Sequence, residues 1–481
     1  MKKMENKNNG DHNPFGYIDN VNTNKGHLKV LFTAGMGFFT DAYDLFVIGI
    51  ILVILSHINL PNFPLTTFYE SILTASAVFT AILGQLVFGR IADMLGRKKV
   101  YGVEATLLAL GAILSSISPN IYWLIGSRFL LGFGIGGDYP VSATIMSEYS
   151  PRKERGKLVS LVFANQGLGI ITAVLVGILS VIIFPASIAW RVMAGVAAIP
   201  PAIVVYYRRK VPETPRFSLL VKQNKEEAKK ASELVGGELK TDSVKTTLNS
   251  FSEFIKSYWK LLLGTALPWF FMDMALYGTG VFSSPITKAV LGGSSGLTLN
   301  VIRAGIPLLI GVPGYFIAAY TIDKLGRKFI QSMGFLVMAL LYFAISVSIL
   351  TVGTKIVGYR IPDMFAYLMF ALTFLFINFG PNTTTFVLPS ELYPVKYRTT
   401  GHGISAASGK AGAAVTLYLF PILLKLYGLK DIFILLGFMS LLGLFTTLAF
   451  IYEPKMKSLE ETSKEKIEIS KEEREIVVGE Q

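Results

Sequence analysis

Twelve apolar runs separated by short polar joints dominate this chain, at about 28–56, 66–89, 99–118, 121–147, 158–184, 187–207, 260–284, 300–321, 329–352, 364–390, 402–427 and 430–452. Few folds can absorb that much continuous hydrophobicity. A helix that crosses a bilayer needs ~20 apolar residues, because only a helix or a closed barrel satisfies its own backbone polar groups in lipid. With 52% hydrophobic and 16% charged residues, a soluble multidomain enzyme and a disordered chain are both excluded. The absence of cysteine from all 481 residues rules out a disulfide framework, a zinc–thiolate site and a thiol nucleophile. The expected class is an all-α polytopic membrane protein of twelve transmembrane helices.

A formal net charge of +13 could signal nucleic acid or an anionic membrane face, so the placement of the charges decides. Basic residues cluster after every second span: Arg90, Arg97, Lys98 and Lys99; Arg152, Lys153, Arg155 and Lys157; Arg208, Arg209 and Lys210; Lys324, Arg327 and Lys328; Lys396 and Arg398. With both tails, 36 of the 45 Lys and Arg lie on that side, whereas the opposite joints hold Lys288, Lys355, Arg360, Lys425 and Lys430. By the positive-inside rule that side and both termini are cytoplasmic, the location is a cell membrane, and nucleic acid is no partner. The reading divides the chain into a polar tail (1–27), a six-span bundle (28–207), a cytoplasmic linker (208–259), a second six-span bundle (260–452) and a tail (453–481). No cleavable leader precedes the first span, which is expected to remain as an anchor.

The two bundles repeat one another. Asp93, Gly96, Arg97 and Lys98 return as Asp323, Gly326, Arg327 and Lys328 at an offset of 230; Phe38, Phe39 and Asp41 return as Phe270, Phe271 and Asp273 at 232; Glu148, Pro151 and Arg155 return as Glu391, Pro394 and Arg398 at 243. Two six-span repeats around a midplane site form the plan of a transporter in which one half rocks against the other.

An ionisable group inside a membrane helix costs a few kcal/mol or more, which makes each one a functional candidate. The candidates are Asp41 and Asp44 in span one, Glu104 in span three, Arg128 and Asp138 in span four, Asp273 in span seven and Lys410 in span eleven. Gln166, Asn378 and Asn382 add neutral polar groups, and Trp269, Asp273 and Tyr277 share one helix face. Blander readings stand beside these. Arg128 and Glu104 could form an interhelical ion pair, and Asp44 could serve packing next to Asp41. Glu148 and Glu391, beside basic loops, suit salt bridges in a gate better than substrate contact. His57 and His402 lack metal-ligand spacing, and no cofactor is expected. The glycine-rich stretches 132–137 and 401–412 follow no strand and suit close helix packing better than phosphate cradling.

The sequence Gly89-Arg-Ile-Ala-Asp93-Met-Leu-Gly96-Arg97-Lys98-Lys99 resembles the loop signature of the major facilitator superfamily. The segment Gly136-Gly137-Asp138-Tyr139-Pro140 to Glu148, the stretch Asn378-Phe-Gly-Pro-Asn382-Thr-Thr-Thr-Phe386, the run His402 to Lys410 and the Trp269, Asp273, Tyr277 triplet are similar to the phosphate:proton symporter family. Pro212-Glu-Thr-Pro-Arg-Phe217 is nearer the sugar-porter form of its motif, and Ser390 replaces the usual Gly. The resemblance implies phosphate contacts from Tyr139, Gln166, Trp269, Asp273, Tyr277 and Asn382 with Lys410 beside them. It also implies a proton route through Asp41 and Asp138, assisted by Glu104, Arg128 and Asp44. Asp93, Gly96, Arg97, Asp323, Arg327, Glu148 and Glu391 would form the gate.

A carboxyl group is an unexpected neighbour for phosphate, yet a protonated one donates a hydrogen bond to a phosphate oxygen where an ionised one would repel it. Proton and phosphate would then bind with reciprocal positive coupling. The expectation is a monomeric secondary transporter, not an enzyme, that takes up inorganic phosphate with protons by alternating access. The alternatives are a proton-coupled carrier of a sugar or organic anion, and a solute-sensing transceptor.

Overall fold

The computed structural model describes residues 14–237, 239, 244–246, 248, 250–283, 286–288, 296–465 and 467–469. The expectations for residues 1–13 and 470–481 of the two tails lie outside the described residues. The expected spans are present as helices. Span one is Lys25–Ile58, whose first N–H groups are capped by the Asn24 side chain. Spans two to six are Thr67–Leu95, Val103–Ser116, Ile121–Tyr149, Arg155–Ile183 and the broken pair Ala186–Val196 and Ile199–Arg208. Spans seven to nine are Phe251–Val281, Leu297–Leu325 and Arg327–Ser348. Span ten runs from Asp363–Ile377 through a distorted turn at Asn378–Asn382 into Thr383–Leu392. Spans eleven and twelve form the continuous stretch Arg398–Phe450, divided where Gly428 adopts φ 79°, a conformation that glycine alone enters freely. Among the described residues, ten helices are long and apolar enough to cross a membrane by composition. One of them is the stretch that Gly428 divides, and Ile121–Tyr149, with Arg128, Asp138 and Glu148 in it, completes the twelve.

The glycine-rich stretches are where helices touch. A β-carbon at Gly132 or Gly136 would collide with the backbone of span two, and one at Gly403 or Gly412 with the carbonyl groups of Gln85 and Phe270. Close approach of this kind is how helices associate in lipid, where no hydrophobic drive separates them from their solvent. Span two against span eleven, and span five against span eight, join the two halves. The linker carries the short helices Pro215–Leu220 and Lys225–Leu234, and its Val244–Thr246 pairs antiparallel with Ile467–Ile469 of the tail. A hairpin, Ile349–Val352 with Lys355–Tyr359, fills the joint after span nine.

Candidate functional site

Midway along the bundle, Lys410 of span eleven is buried between the halves. Its Nζ lies 3.2 Å from Asp273 Oδ2 and donates to the Tyr277 hydroxyl at 2.8 Å. It also stands 4.7 Å and 4.5 Å from the ring centres of Tyr139 and Tyr277. A lone ammonium here would be expensive; the carboxyl and two aromatic faces offset its desolvation. Gln166 Nε2 donates to the Tyr139 hydroxyl at 2.9 Å, the Tyr315 hydroxyl donates to Gln166 Oε1 at 3.3 Å, and Asn382 Nδ2 donates to the Tyr315 hydroxyl at 3.0 Å. Asn382 is available because span ten leaves helical geometry at Gly380, just before Pro381, which turns Asn378 and Asn382 inward with 2.8 Å between their amide groups. Irregular backbone at this depth is tolerated where it faces protein or a cavity. Trp269 completes the wall, its ring 6.2 Å from Tyr139, with room made by Gly409. Thus Tyr139, Gln166, Trp269, Asp273, Tyr277, Asn382 and Lys410 converge. Tyr315, absent from the sequence-derived set, links two of them.

A second cluster lies in the first half. Arg208, from the end of span six, donates to both oxygens of Asp138 at 2.7 and 2.8 Å and to Glu104 at 2.8 Å, and all three side chains are fully buried. The guanidinium stands 4.5 Å from the Tyr101 ring centre, and Ser142 donates to Asp138 at 2.5 Å. Three expectations change here. Glu104 pairs with Arg208 and not with Arg128, which sits elsewhere in span four and donates to the Asp44 carbonyl at 3.3 Å. Asp138 is not an unpaired acid in lipid. Arg208, counted among the basic residues that set orientation, is inside the protein. Asp41 differs from all of these, for neither of its oxygens meets a hydrogen-bond donor among the described residues, although it is fully buried. Gly37, one turn before it, leaves the space that the Asp138–Arg208 pair occupies.

The chain that builds this chamber matches a family model described as "Sugar (and other) transporter" over residues 30–465. The chain belongs to this family, within the major facilitator superfamily. Its similarity is 35% identity over 93% of the chain to "Probable inorganic phosphate transporter 1-6" of Arabidopsis thaliana, covering 95% of that protein. It is 36% identical, over 93% of the chain and 94% of the relative, to "Low affinity inorganic phosphate transporter 1" of Petunia hybrida. The fold is shared with the proton:xylose symporter XylE bound to 6-bromo-6-deoxy-D-glucose, at a TM-score of 0.76, 20% identity and coverage of 91% and 98% of the two chains. The inward-open conformation of the xylose transporter XylE from E. coli gives a TM-score of 0.63 at 22% identity, over 91% and 99%.

In this transporter the superfamily loop motif closes the face on which Asp19 and Glu460 meet Arg216, and it does so twice. Asp93 accepts from the Thr399 and Thr400 N–H groups at 3.3 and 2.6 Å, at the start of span eleven, and lies 3.1 Å from Arg97. Asp323 accepts from the Gly156 and Lys157 N–H groups at 3.1 and 2.8 Å, at the start of span five, and pairs with Arg327 at 2.9 Å. Each acid therefore crosses to the other half and caps a helix amino terminus, where four N–H groups lack partners. Arg97 and Arg398 both pair with Glu148, at 3.2 and 2.9 Å, and Arg327 holds Glu391 at 2.7 Å. Gly96 and Gly326 turn the chain with φ of 104° and 97°. Glu213 and Glu453 accept from the N–H groups of Arg97 and Lys98, and of Arg327 and Lys328. Those two glutamates were missed in the sequence, where they sit in polar segments. At the opposite end a cavity of about 470 Å³ opens between spans one and two and spans seven and eight, lined by Ser56, His57, Glu70, Phe282 and Lys288 among others. Stacked rings of Phe46 and Tyr277, 5.7 Å apart, lie between spans one and seven on its site side.

Proposed function

We propose that this transporter carries inorganic phosphate into the cell together with protons. The carrying observation is the buried Lys410, held by Asp273 and Tyr277 among further donors from Tyr139, Gln166 and Asn382. Such a chamber offers an anion one cation and several hydrogen bonds, and it offers a proton a carboxyl group at the same point. When Asp273 is protonated it releases its hold on Lys410 and donates to a phosphate oxygen, so proton and phosphate favour each other's binding. Asp41 and the Asp138 cluster form the proton side of the same machine, with Asp44 and Arg128 behind them. The bundles 28–207 and 260–452 rock about this level as the Asp93, Asp323, Glu148 and Glu391 latches break and remake. The termini, the linker 208–259 and the latches face the cytoplasm of a cell-membrane protein that acts as a monomer in lipid. The naming of the curated relatives supports phosphate over a sugar or organic anion.

The test is uptake of radiolabelled phosphate into liposomes holding the purified protein, with and without an inward proton gradient. Gradient-dependent accumulation is expected, and Asp273→Asn should abolish it. Full uphill uptake by that variant would sink the assignment, and uptake of xylose but not phosphate would transfer it to a sugar carrier. Specific binding with no flux would make the chain a sensor.

A further inference from the structure

Three acids of the first half, Asp41, Glu104 and Asp138, surround one arginine, and the arginine serves only two. Arg208 gives Asp138 a two-pronged contact and Glu104 a single one at 2.8 Å. Glu104 has a further fixed donor, the Gly102 N–H, at 3.0 and 2.9 Å from its two oxygens. A guanidinium fork against a carboxylate is the strongest and most directional ion pair a protein makes, and it requires the carboxylate to be ionised. The other charged and titratable groups around the cluster are Asp41 and Asp44 from span one, Tyr101 from span three and Lys410 from span eleven. Neither oxygen of Asp41 meets a donor among the described residues; Asp44, one turn further along span one, has no side-chain donor among them either, but the cation it faces is Arg128 and not Arg208.

From this we infer that Arg208 is a positioning residue of proton coupling: it holds Asp138 and Glu104 as its ion-pair partners, so that the transported proton rides on Asp41. The inference rests on the proton-coupled reading above and divides labour that the sequence left shared. Three carboxyl groups around one guanidinium leave the cluster short of positive charge, which a proton on Asp41 relieves. Arg208 is also wired to the gate. Five residues further on, Glu213 caps the N–H groups of Arg97 and Lys98 at the latch. Opening the latch therefore pulls on the chain that holds the clamp, which ties release of the proton to release of the substrate.

Infrared spectra of the reconstituted full-length protein, recorded across the pH range in which it accumulates phosphate, test this directly. A protonated carboxyl group has its own C=O stretch. In the absence of phosphate, when Asp273 stays paired with Lys410, the wild-type band should disappear in Asp41→Asn and persist in Asp138→Asn and Glu104→Gln. Arg208→Gln should add a second such band, because the freed acids lose the cation that favours their ionised form, and should move the pH of half-maximal uptake upward by about one to three units. Arg208→Lys, which keeps the charge without the fork, should fall between. If Asp138→Asn erases the band and Asp41→Asn keeps it, the assignment is overturned. It is overturned equally if Arg208→Gln folds with an unchanged spectrum and pH profile, which would mark Arg208 as merely structural. Should Arg208→Gln fail to fold, the Asp41 and Asp138 arms still decide. If the wild-type protein moves phosphate without protons, the proposed function fails first, and separately.

Discussion

Asp41 and Asp273 are copies of one residue at an offset of 232, yet their surroundings have little in common. Asp273 has Lys410 at 3.2 Å, whereas Asp41 has no donor among the described residues. The neighbours one turn back explain part of the divergence. Position 37 is Gly, which admits the Asp138–Arg208 pair against span one, whereas its counterpart 269 is Trp, which fills the same place with an indole. At the offsets of 230 and 243, Glu104 corresponds to Gly334 and Asp138 to Pro381, and these two pack directly on each other. Matching Glu213 to Glu453 places Arg208 opposite Leu448, which is 54% exposed. One half thus retains a charged cluster where the other has closed helix packing, and conversely the second half places a cation in the shared chamber. The duplication supplied the same acid twice; changes of a glycine, a proline and an arginine around it made one copy a partner of the chamber cation and left the other without a hydrogen-bond donor among the described residues.

The largest expected effect tests the second-half copy. Lys410→Ala leaves Asp273 buried without its cation and should lower stability by about 3–5 kcal/mol, while Lys410→Ala with Asp273→Leu should recover much of that loss. Thermal unfolding of the purified protein in detergent reads both. If the double variant is no more stable than the single, the pair is not what holds the chamber. Next in size is Gly37→Ala, which pushes a methyl group into Asp138 and Arg208 and should cost about 1–3 kcal/mol. Gly126→Ala, whose β-carbon meets nothing within 4 Å, is the matched control. Equal stability of the two would mean that the first-half cluster is loosely packed and that the contrast drawn with Trp269 is wrong.

How far these features are legible without a structure depends on how different each residue looks from its neighbours. The spans, the duplication and the chamber residues stand out because charge or amide groups interrupt apolar runs. Arg208 does not. It opens the triplet Arg208-Arg209-Lys210, whose other two members are exposed, and composition cannot separate them. Its helix phase could have done so, since Pro201, Val204 and Arg208 form one buried stripe. Tyr315 has the same problem beside Tyr320: one is fully buried and the other 62% exposed, and both are aromatic residues in an apolar run. The Glu104–Arg128 pairing failed for another reason, because sequence gives the depth of a charge along a helix only to within a turn or so.

A smaller effect concerns the segment after span six, where the halves differ again. Arg216 binds Asp19 and Glu460, at 2.7 Å each, while the position matching it in the second half is Met456, which is 44% exposed. Burial alone would push the Glu460 carboxyl up, but Arg216 and the hydrogen bonds around it outweigh burial and hold it below its ordinary value of 4.5. A depressed carboxyl stabilises the ionised, folded form above its unfolded value and loses that contribution as pH falls through the folded one. Acidification should therefore loosen the tail on the first-half side, by roughly 1–2 kcal/mol. The chain has no cysteine, so a single cysteine introduced in the tail reports its exposure without background. Glu460→Gln should label fast at every pH; labelling that ignores both pH and the substitution would dissociate the tail from Arg216.

Asp41→Asn should have the least effect on stability and the most telling contrast between stability and function. Since neither oxygen of Asp41 has a donor among the described residues, replacing the acid with its isostere breaks no contact there and should shift stability by less than about 1 kcal/mol. The same change at its copy, Asp273→Asn, removes the carboxylate from Lys410 and should be clearly destabilising. Asp41→Asn should nonetheless abolish gradient-driven accumulation of phosphate, because an amide cannot take up and release the proton. A side chain that matters to packing loses stability and activity together; one retained for a proton loses activity alone. If Asp41→Asn unfolds at a much lower temperature than the wild type, Asp41 is a packing residue with an unseen partner, and the contrast between the halves reduces to one functional acid instead of two.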